Sequence, residues 1–329
     1  MRNAVAATAA LTASLALASA AGNALGQDAT IDSPECVAPA QPGGGFDLTC
    51  RIAQRGLEPH IEEPMQVTFM PGGIGAVAIN RFNTTRTDDA NAIVAFSSGS
   101  LLNMATGKYG QWDEDDVKFT ASAGTDYGAL IVNADSDYQT LDELMAALKE
   151  DPTSVVIGAG GSIGSQDWMK AALLVRAEGI DPREMRYVAF DGGGDAMSGL
   201  LGNSIDLYTG DVGEIVSQMD AGNIRVLAVM SPERLPEPFA DIATTAELGY
   251  PDAEWAILRG YYMGKEVSGE AYRAYVDAFE AAYGTDAWNT VVADQGLQEY
   301  SVAGDAFNAE VLERVEAMRA VAREAGLIE

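Results

Sequence analysis

The chain has 329 residues and a mass of 34.6 kDa, enough for two ordinary domains. Apolar residues make up 47% and charged residues 21%, so it can bury a large core and is not a disordered polypeptide. Asp and Glu number 49 against 20 Lys and Arg, and the net charge of −29 excludes nucleic acid as a partner, because phosphate binding needs clustered cations.

The single histidine, His60, excludes multi-histidine metal sites, and two cysteines exclude four-cysteine zinc and iron–sulfur sites. Neither a metal nor a cofactor is expected. Lys is scarce beside abundant carboxylates, which points to a salt-tolerant surface; ordinary solubility charge is the plainer reading.

Met1-Arg2-Asn3 makes a short positive start, and Ala4 to Ala21 follows as an uncharged run of Ala, Leu, Val, Thr and Ser. Small-x-small patterns come next at Ala18-Ser19-Ala20 and Ala24-Leu25-Gly26. This pattern predicts a secretory signal over residues 1–26 rather than a membrane anchor, because the run is only weakly apolar. Export into an oxidising compartment makes a Cys36–Cys50 disulfide the expectation, with two buried free thiols as the alternative.

Strand-like runs then recur: Glu35–Pro39, Met65–Met70, Ala92–Phe96, Ala129–Val132, Ser154–Ile157, Arg186–Phe190, Ile205–Tyr208, Arg225–Val229 and Trp255–Met263. Several are continuously apolar, as in strands covered on both faces. Between them lie helical patterns. Thr140-Leu141-Asp142-Glu143 is a capping box opening a helix to Lys149, and Ser165–Arg176 is a second helix. Asp305–Ala325 is a long amphipathic helix with Phe307, Val311, Leu312, Val315 and Met318 on one face. Alternating elements predict an α/β protein with mostly parallel strands. Residues 27–126 plus 252–329 are expected to form one lobe and residues 127–251 the other, a clamshell that binds small ligands between its lobes.

Gly-rich turns follow four of these strands: Pro42-Gly43-Gly44-Gly45-Phe46-Asp47, Pro71-Gly72-Gly73-Ile74-Gly75, Gly158 to Ser165, and Asp191-Gly192-Gly193-Gly194-Asp195. Glycine lets backbone N–H groups approach a ligand closely, and a helix N-terminus adds partial positive charge. None of these turns contains Lys or Arg, so the expectation is an anion held by backbone donors. Tight strand–helix turns without a ligand are the plainer alternative for any one of them.

Two turns also match enzyme motifs. Gly160-Gly161-Ser162-Ile163-Gly164 fits a nucleophile elbow, but the only histidine precedes Ser162 by a hundred residues, in the other lobe. Gly73-Ile74-Gly75-Ala76-Val77-Ala78 fits a dinucleotide fingerprint, yet Ala92–Phe96 ends without the acid that would hold a ribose. A secreted α/β hydrolase or reductase is therefore the weaker alternative. Asp113-Glu114-Asp115-Asp116 lacks the spaced oxygens of a calcium loop and is expected to be solvated. His60 is expected at the surface; Tyr261, Tyr262, Trp255, Trp168 and Trp288 could touch a ligand, with core or hinge packing the expected role.

The run Cys36-Val37-Ala38-Pro39-Ala40-Gln41-Pro42-Gly43-Gly44-Gly45-Phe46-Asp47-Leu48-Thr49-Cys50-Arg51 resembles the periplasmic receptors of tripartite tricarboxylate transporters, also called Bug receptors. Met70 to Ala78, Gly158 to Ser165, Tyr187 to Gly194, Leu200 to Leu207 and Ile224 to Met230 are similar to the same family, in the same order. The resemblance implies a two-lobe, type II periplasmic-binding-protein fold of the Venus-flytrap kind. It implies a monomeric, periplasmic receptor that closes on a small carboxylate, such as citrate or another di- or tricarboxylate. The ligand would then pass to large and small membrane subunits driven by an ion gradient. Presentation of the ligand to a membrane sensor kinase would use the same lobes. By motif, the implied ligand loops are Pro42, Gly43, Gly44, Gly45, Phe46 and Asp47 in one lobe, and Gly161, Ser162, Gly164, Ser165 and Gln166 in the other. Gly193 and Asp211 are implied as further walls. Many relatives carry a histidine where this chain has Asp167, a departure that bears on ligand choice.

Overall fold

The computed structural model describes residues 31–324 and Ile328; the expected signal segment 1–26 lies outside the described residues. The first lobe opens with β1 (Glu35–Ala38), α1 (Gly45–Gly56), β2 (Gln66–Phe69), α2 (Ala76–Phe82), β3 (Ala92–Ser97) and α3 (Ser98–Ala105). A 17-residue strand, β4 (Val117–Asn133), carries the chain into the second lobe. There follow α4 (Leu141–Glu150), β5 (Val156–Gly160), α5 (Gln166–Ala177), β6 (Arg186–Phe190), α6 (Gly193–Leu201), β7 (Leu207–Asp211), α7 (Val216–Asp220) and β8 (Ile224–Val229). The chain returns through β9 (Ala256–Gly264) and closes with α8 (Gly269–Ala282), α9 (Asp286–Asp294) and α10 (Gly304–Glu324).

Local chemistry sets many of these boundaries. At α4, Thr140 Oγ1 accepts from the Glu143 amide at 3.3 Å while Glu143 Oε2 accepts from the Thr140 amide at 3.2 Å. Ser165 caps α5 by accepting from the Trp168 amide at 3.3 Å. Strand β3, Ala-Ile-Val-Ala-Phe-Ser, is buried along its whole length, as suits an apolar strand covered by helices on both faces.

Both lobes use one topology. In the first, β1 pairs in parallel with β2 and β3, and then β9 runs antiparallel between β3 and β4. In the second, β5 pairs in parallel with β6 and β7, and then β4 runs antiparallel between β7 and β8. Each sheet thus holds one antiparallel strand carried by a chain crossing, and the whole is mixed rather than mostly parallel. The two halves of β4 explain this. Residues up to Tyr127 pair with β9, and from Gly128 onward the strand pairs with β7 and β8. At the switch Gly128 donates to Trp255 O at 3.0 Å and accepts from the Met230 amide at 2.7 Å, tying the outward strand to the returning chain.

Helices cover both faces of each sheet. In the first lobe, α1, α8 and α9 pack Phe46, Ile52, Tyr275, Phe279 and Trp288 on one face. On the other face α2, α3 and α10 contribute Phe82, Leu101, Phe307, Val311 and Val315. The Cys36–Cys50 disulfide joins β1 to α1 within that first core. Tyr261, Tyr262 and Trp288 are buried, Trp168 and Trp255 are half-buried, and His60 sits in a short helical turn after α1. The acidic run departs from expectation. Glu114 is buried and bridged by Arg319 at 2.7 and 2.8 Å, so this segment pins α10 to the lobe.

Candidate functional site

Strands β1, β3, β5, β6 and β7 all point their C-terminal ends at one cavity of about 450 Å³. The first lobe supplies Ala40, Gly44, Gly45, Phe46, Gly73, Ile74, Ser97, Gly99, Asn103, Lys108 and Arg259; the second supplies Gly160 to Ser162, Ser165 to Asp167, Ala189 to Gly193, Asp211 and Glu214. Of the residues expected at the ligand, Gly44, Gly45, Phe46, Gly161, Ser162, Ser165, Gln166, Gly193 and Asp211 therefore share one cavity. Pro42, Gly43, Asp47 and Gly164 stand outside its lining. Asp47 Oδ2 accepts from the Gly43 amide at 2.8 Å and Oδ1 from Arg51 Nε at 3.0 Å, so this side chain closes the turn instead of facing inward.

The lobes meet backbone to backbone. A Cβ placed on Gly44 would fall 2.9 Å from Gly194 N, and one on Gly194 would fall 2.3 Å from Pro42 O. Gly161 has a different reason to be glycine. Its φ is +87°, and a Cβ there would meet Ser165 Cβ at 2.7 Å.

Not every turn amide is open to a ligand. The Gly161 amide donates to Phe190 O at 2.9 Å, and the Gly45 amide donates to Glu214 Oε1 at 2.6 Å. Nor is the site free of cations. Arg259, on β9, donates from Nε to Asp126 Oδ2 at 2.8 Å and from a terminal nitrogen to Asp211 Oδ2 at 2.6 Å. Lys170, on α5, bonds Asp211 Oδ1 and Gly210 O, and stands 2.8 Å from Asp167 Oδ1. Asp211 thus joins two buried ion pairs into one network beneath the cavity. Burial alone lowers the pKa of both cations, but the surrounding carboxylates outweigh it and hold Lys170 and Arg259 above their ordinary values. Burial raises Asp126 and Asp167 despite those cations. Burial first, and then the charge of Asp211, pushes Glu214 up to about 8.

Lys108, just after α3, lines the cavity, and among the described residues no carboxylate lies within ion-pair distance of its amine. The sequence reading missed Lys108, Arg259, Lys170 and Glu214. Each lies outside the Gly-rich turns or far from its partner in sequence. Only the Asp167–Lys170 spacing of one helical turn is a local signal.

His60, the one histidine of the sequence, lies outside the cavity that Ser162 lines. Chemically it can enclose a small polar solute and present it with backbone donors, hydroxyls and fixed charges.

The profile of the tripartite tricarboxylate transporter family receptor matches residues 49–327. Protein BugT of Bordetella pertussis is 26% identical over 221 residues, which cover 66% of this chain and 66% of that protein, so the match spans about two thirds of each. The structure of the periplasmic binding protein BugD superposes with a TM-score of 0.79 at 20% identity, covering 90% of this chain and 98% of that one. MatC from Rhodopseudomonas palustris with bound malate superposes with a TM-score of 0.74 at 18% identity, covering 88% and 98%. At these identities the superpositions show a shared two-lobe binding-protein fold, and the family match goes further: the chain belongs to the tripartite tricarboxylate transporter family of receptors, which are periplasmic solute-binding proteins and not enzymes.

Proposed function

We propose that this receptor captures a small organic carboxylate, of the di- or tricarboxylate class that includes citrate, between its lobes. It then delivers the ligand to the large and small membrane subunits of an ion-gradient-driven transporter. The observation that carries this reading is the convergence of strand ends from both lobes on one cavity of about 450 Å³, a volume suited to a small solute. Lys108 and the backbone and hydroxyl donors at Gly44, Ser162 and Gly193 would meet the ligand's oxygens. The malate-bound MatC, which shares the fold, agrees with a carboxylate in such a cleft.

In this reading residues 27–126 with 252–329 form one lobe and 127–251 the other, and the exported unit works as a monomer after removal of residues 1–26. Calorimetric titration of the purified protein with carboxylates, neutral sugars and metal ions tests it. One-to-one binding of a carboxylate is the expected result; binding of sugars or metals alone would overturn the proposal.

A further inference from the structure

Resting on the reading of a receptor whose two lobes close, we propose that Glu214 is an internal latch between them. It reaches from the second lobe to the N-terminus of α1 in the first and holds part of the ligand-free population closed. Some of the closing free energy is then built into the chain and does not come from the solute.

The contact stands apart from the chain crossings. Other hydrogen bonds between the lobes sit at the crossing strands. The Gly213 amide donates to Asp126 Oδ1 at 3.1 Å, Arg259 to Asp211 Oδ2 at 2.6 Å, and the Gly128 amide to Trp255 O at 3.0 Å. Contacts at a pivot can persist while the lobes part. The Gly45 amide belongs instead to a helix of the first lobe, so its 2.6 Å bond to Glu214 Oε1 breaks when α1 moves away from the second lobe. The first amides of a helix have no acceptor within it, and Glu214 supplies one with the charge preference that a helix N-terminus favours.

Three glycines clear the space for this carboxyl. A Cβ on Gly193 would fall 2.6 Å from Glu214 Cδ, and one on Gly45 would fall 2.6 Å from Arg259 Nη2. A Cβ on Gly210 would fall 2.6 Å from the Tyr208 hydroxyl, so the bare backbone there lets the phenol lie across β7 and donate to Glu214 Oε2. Tyr208 is fully buried and stands outside the cavity lining. It is a positioning residue, fixing Glu214 without touching a solute. The cavity of about 450 Å³ persists while Glu214 holds Gly45, so latch and solute can act together. A contact made in the closed form, empty or loaded, raises the closed fraction and with it the apparent affinity by one factor for every solute.

Small-angle scattering of ligand-free wild type, Glu214→Ala and Tyr208→Phe tests this, with circular dichroism to confirm folding. Both variants should be more extended than ligand-free wild type. Glu214→Gln, which can still accept from Gly45, should stay nearer wild type. Calorimetry with succinate, malate and citrate should show each affinity falling by a common factor in Tyr208→Phe and in Glu214→Ala, about two- to tenfold for one hydrogen bond. If Glu214→Ala does not fold, Tyr208→Phe carries both readouts. Ligand-free scattering identical to wild type in the folded variants overturns the latch. So does a loss that differs from one carboxylate to the next, the mark of direct solute contact. Failure of all three carboxylates to bind overturns the receptor reading instead, and the ligand-free scattering still decides the latch.

Discussion

The amide of Gly45, the first residue of α1, donates a 2.6 Å hydrogen bond to Glu214 Oε1 across 169 positions of sequence. A helix N-terminus favours an anion, and here the protein supplies its own carboxyl from the opposite lobe. Tyr208 holds the other oxygen of Glu214, and a Cβ on Gly193 would meet the same carboxyl at 2.4 Å. The turns that carry α1 and α6 therefore converge on one side chain, which makes Glu214 part of the contact between lobes.

That contact gives the fold a pH dependence of definite sign. Glu214 is pushed from an ordinary 4.5 up to about 8, chiefly by burial. The folded protein then holds a proton that the unfolded chain releases, so this contribution is complete below about pH 4.5 and is lost as pH rises towards 8. Asp126 and Asp167, also raised by burial, act in the same direction. Denaturant unfolding should show stability falling from pH 5 to 8, by at most about 1.4 kcal/mol per pH unit for each such proton. Glu214→Gln, neutral throughout, should give a shallower slope. An unchanged slope in that variant would mean Glu214 is already ionised in the folded protein.

Arg259 bridges Asp126 and Asp211 while itself fully buried. Removing it strands two buried acids against each other. Arg259→Leu should lower stability by about 3–5 kcal/mol, as expected for breaking a buried pair from one side. The same change with Asp126→Asn should recover part of the loss, because one stranded charge is then removed. Urea midpoints of the single and double variants decide it; simple additivity would show that the two do not act as a pair.

The Cys36–Cys50 bridge closes a loop of 14 positions between β1 and α1. Replacing both with Ser should cost about 3 kcal/mol in the chain-entropy description. Mass mapping of periplasm-derived protein without reductant should find no alkylatable thiol. Two modified cysteines would contradict the bridge.

What was legible in the sequence was local. Thr140 and Glu143 announce α4 within four residues, Ser165 announces α5, and the apolar run Ala92–Phe96 announces a covered strand. The Gly-rich turns marked one wall of the cavity in each lobe, since each sits where a strand hands over to a helix. Charge pairing was not legible. Arg259 lies 133 residues from Asp126 and 48 from Asp211, and no short pattern links them. The N-terminal half of β4, Val117–Tyr127, was also missed: its Ala and Gly residues carry little strand propensity, and pairing with β9 and tertiary burial hold them extended. The same distance effect hid the occupancy of two turn amides, because Glu214 and Phe190 come from elsewhere in the chain.

Closure of the cleft should depend on the glycine that lets the two backbones touch. Gly44→Val places carbon where Gly194 N already stands 2.9 Å from the Cβ position, so the turns carrying α1 and α6 must separate. Gly44 itself has φ −105°, an ordinary value, so the variant is not strained within its own turn and should fold. Gly161→Val differs: φ +87° and the 2.7 Å approach to Ser165 Cβ strain the second-lobe turn directly. Ser162→Ala removes only a hydroxyl from an exposed position and should cost less than either. Loss of one charge-assisted contact corresponds to about ten- to a hundredfold in affinity, and both Gly variants should lose at least that. Titration with the tightest carboxylate, together with circular dichroism to confirm folding, reads this out. Small-angle scattering should show Gly44→Val remaining more extended than wild type when ligand is added. A folded Gly44→Val protein that binds and contracts like wild type would show that the Gly44–Gly194 approach does not govern closure.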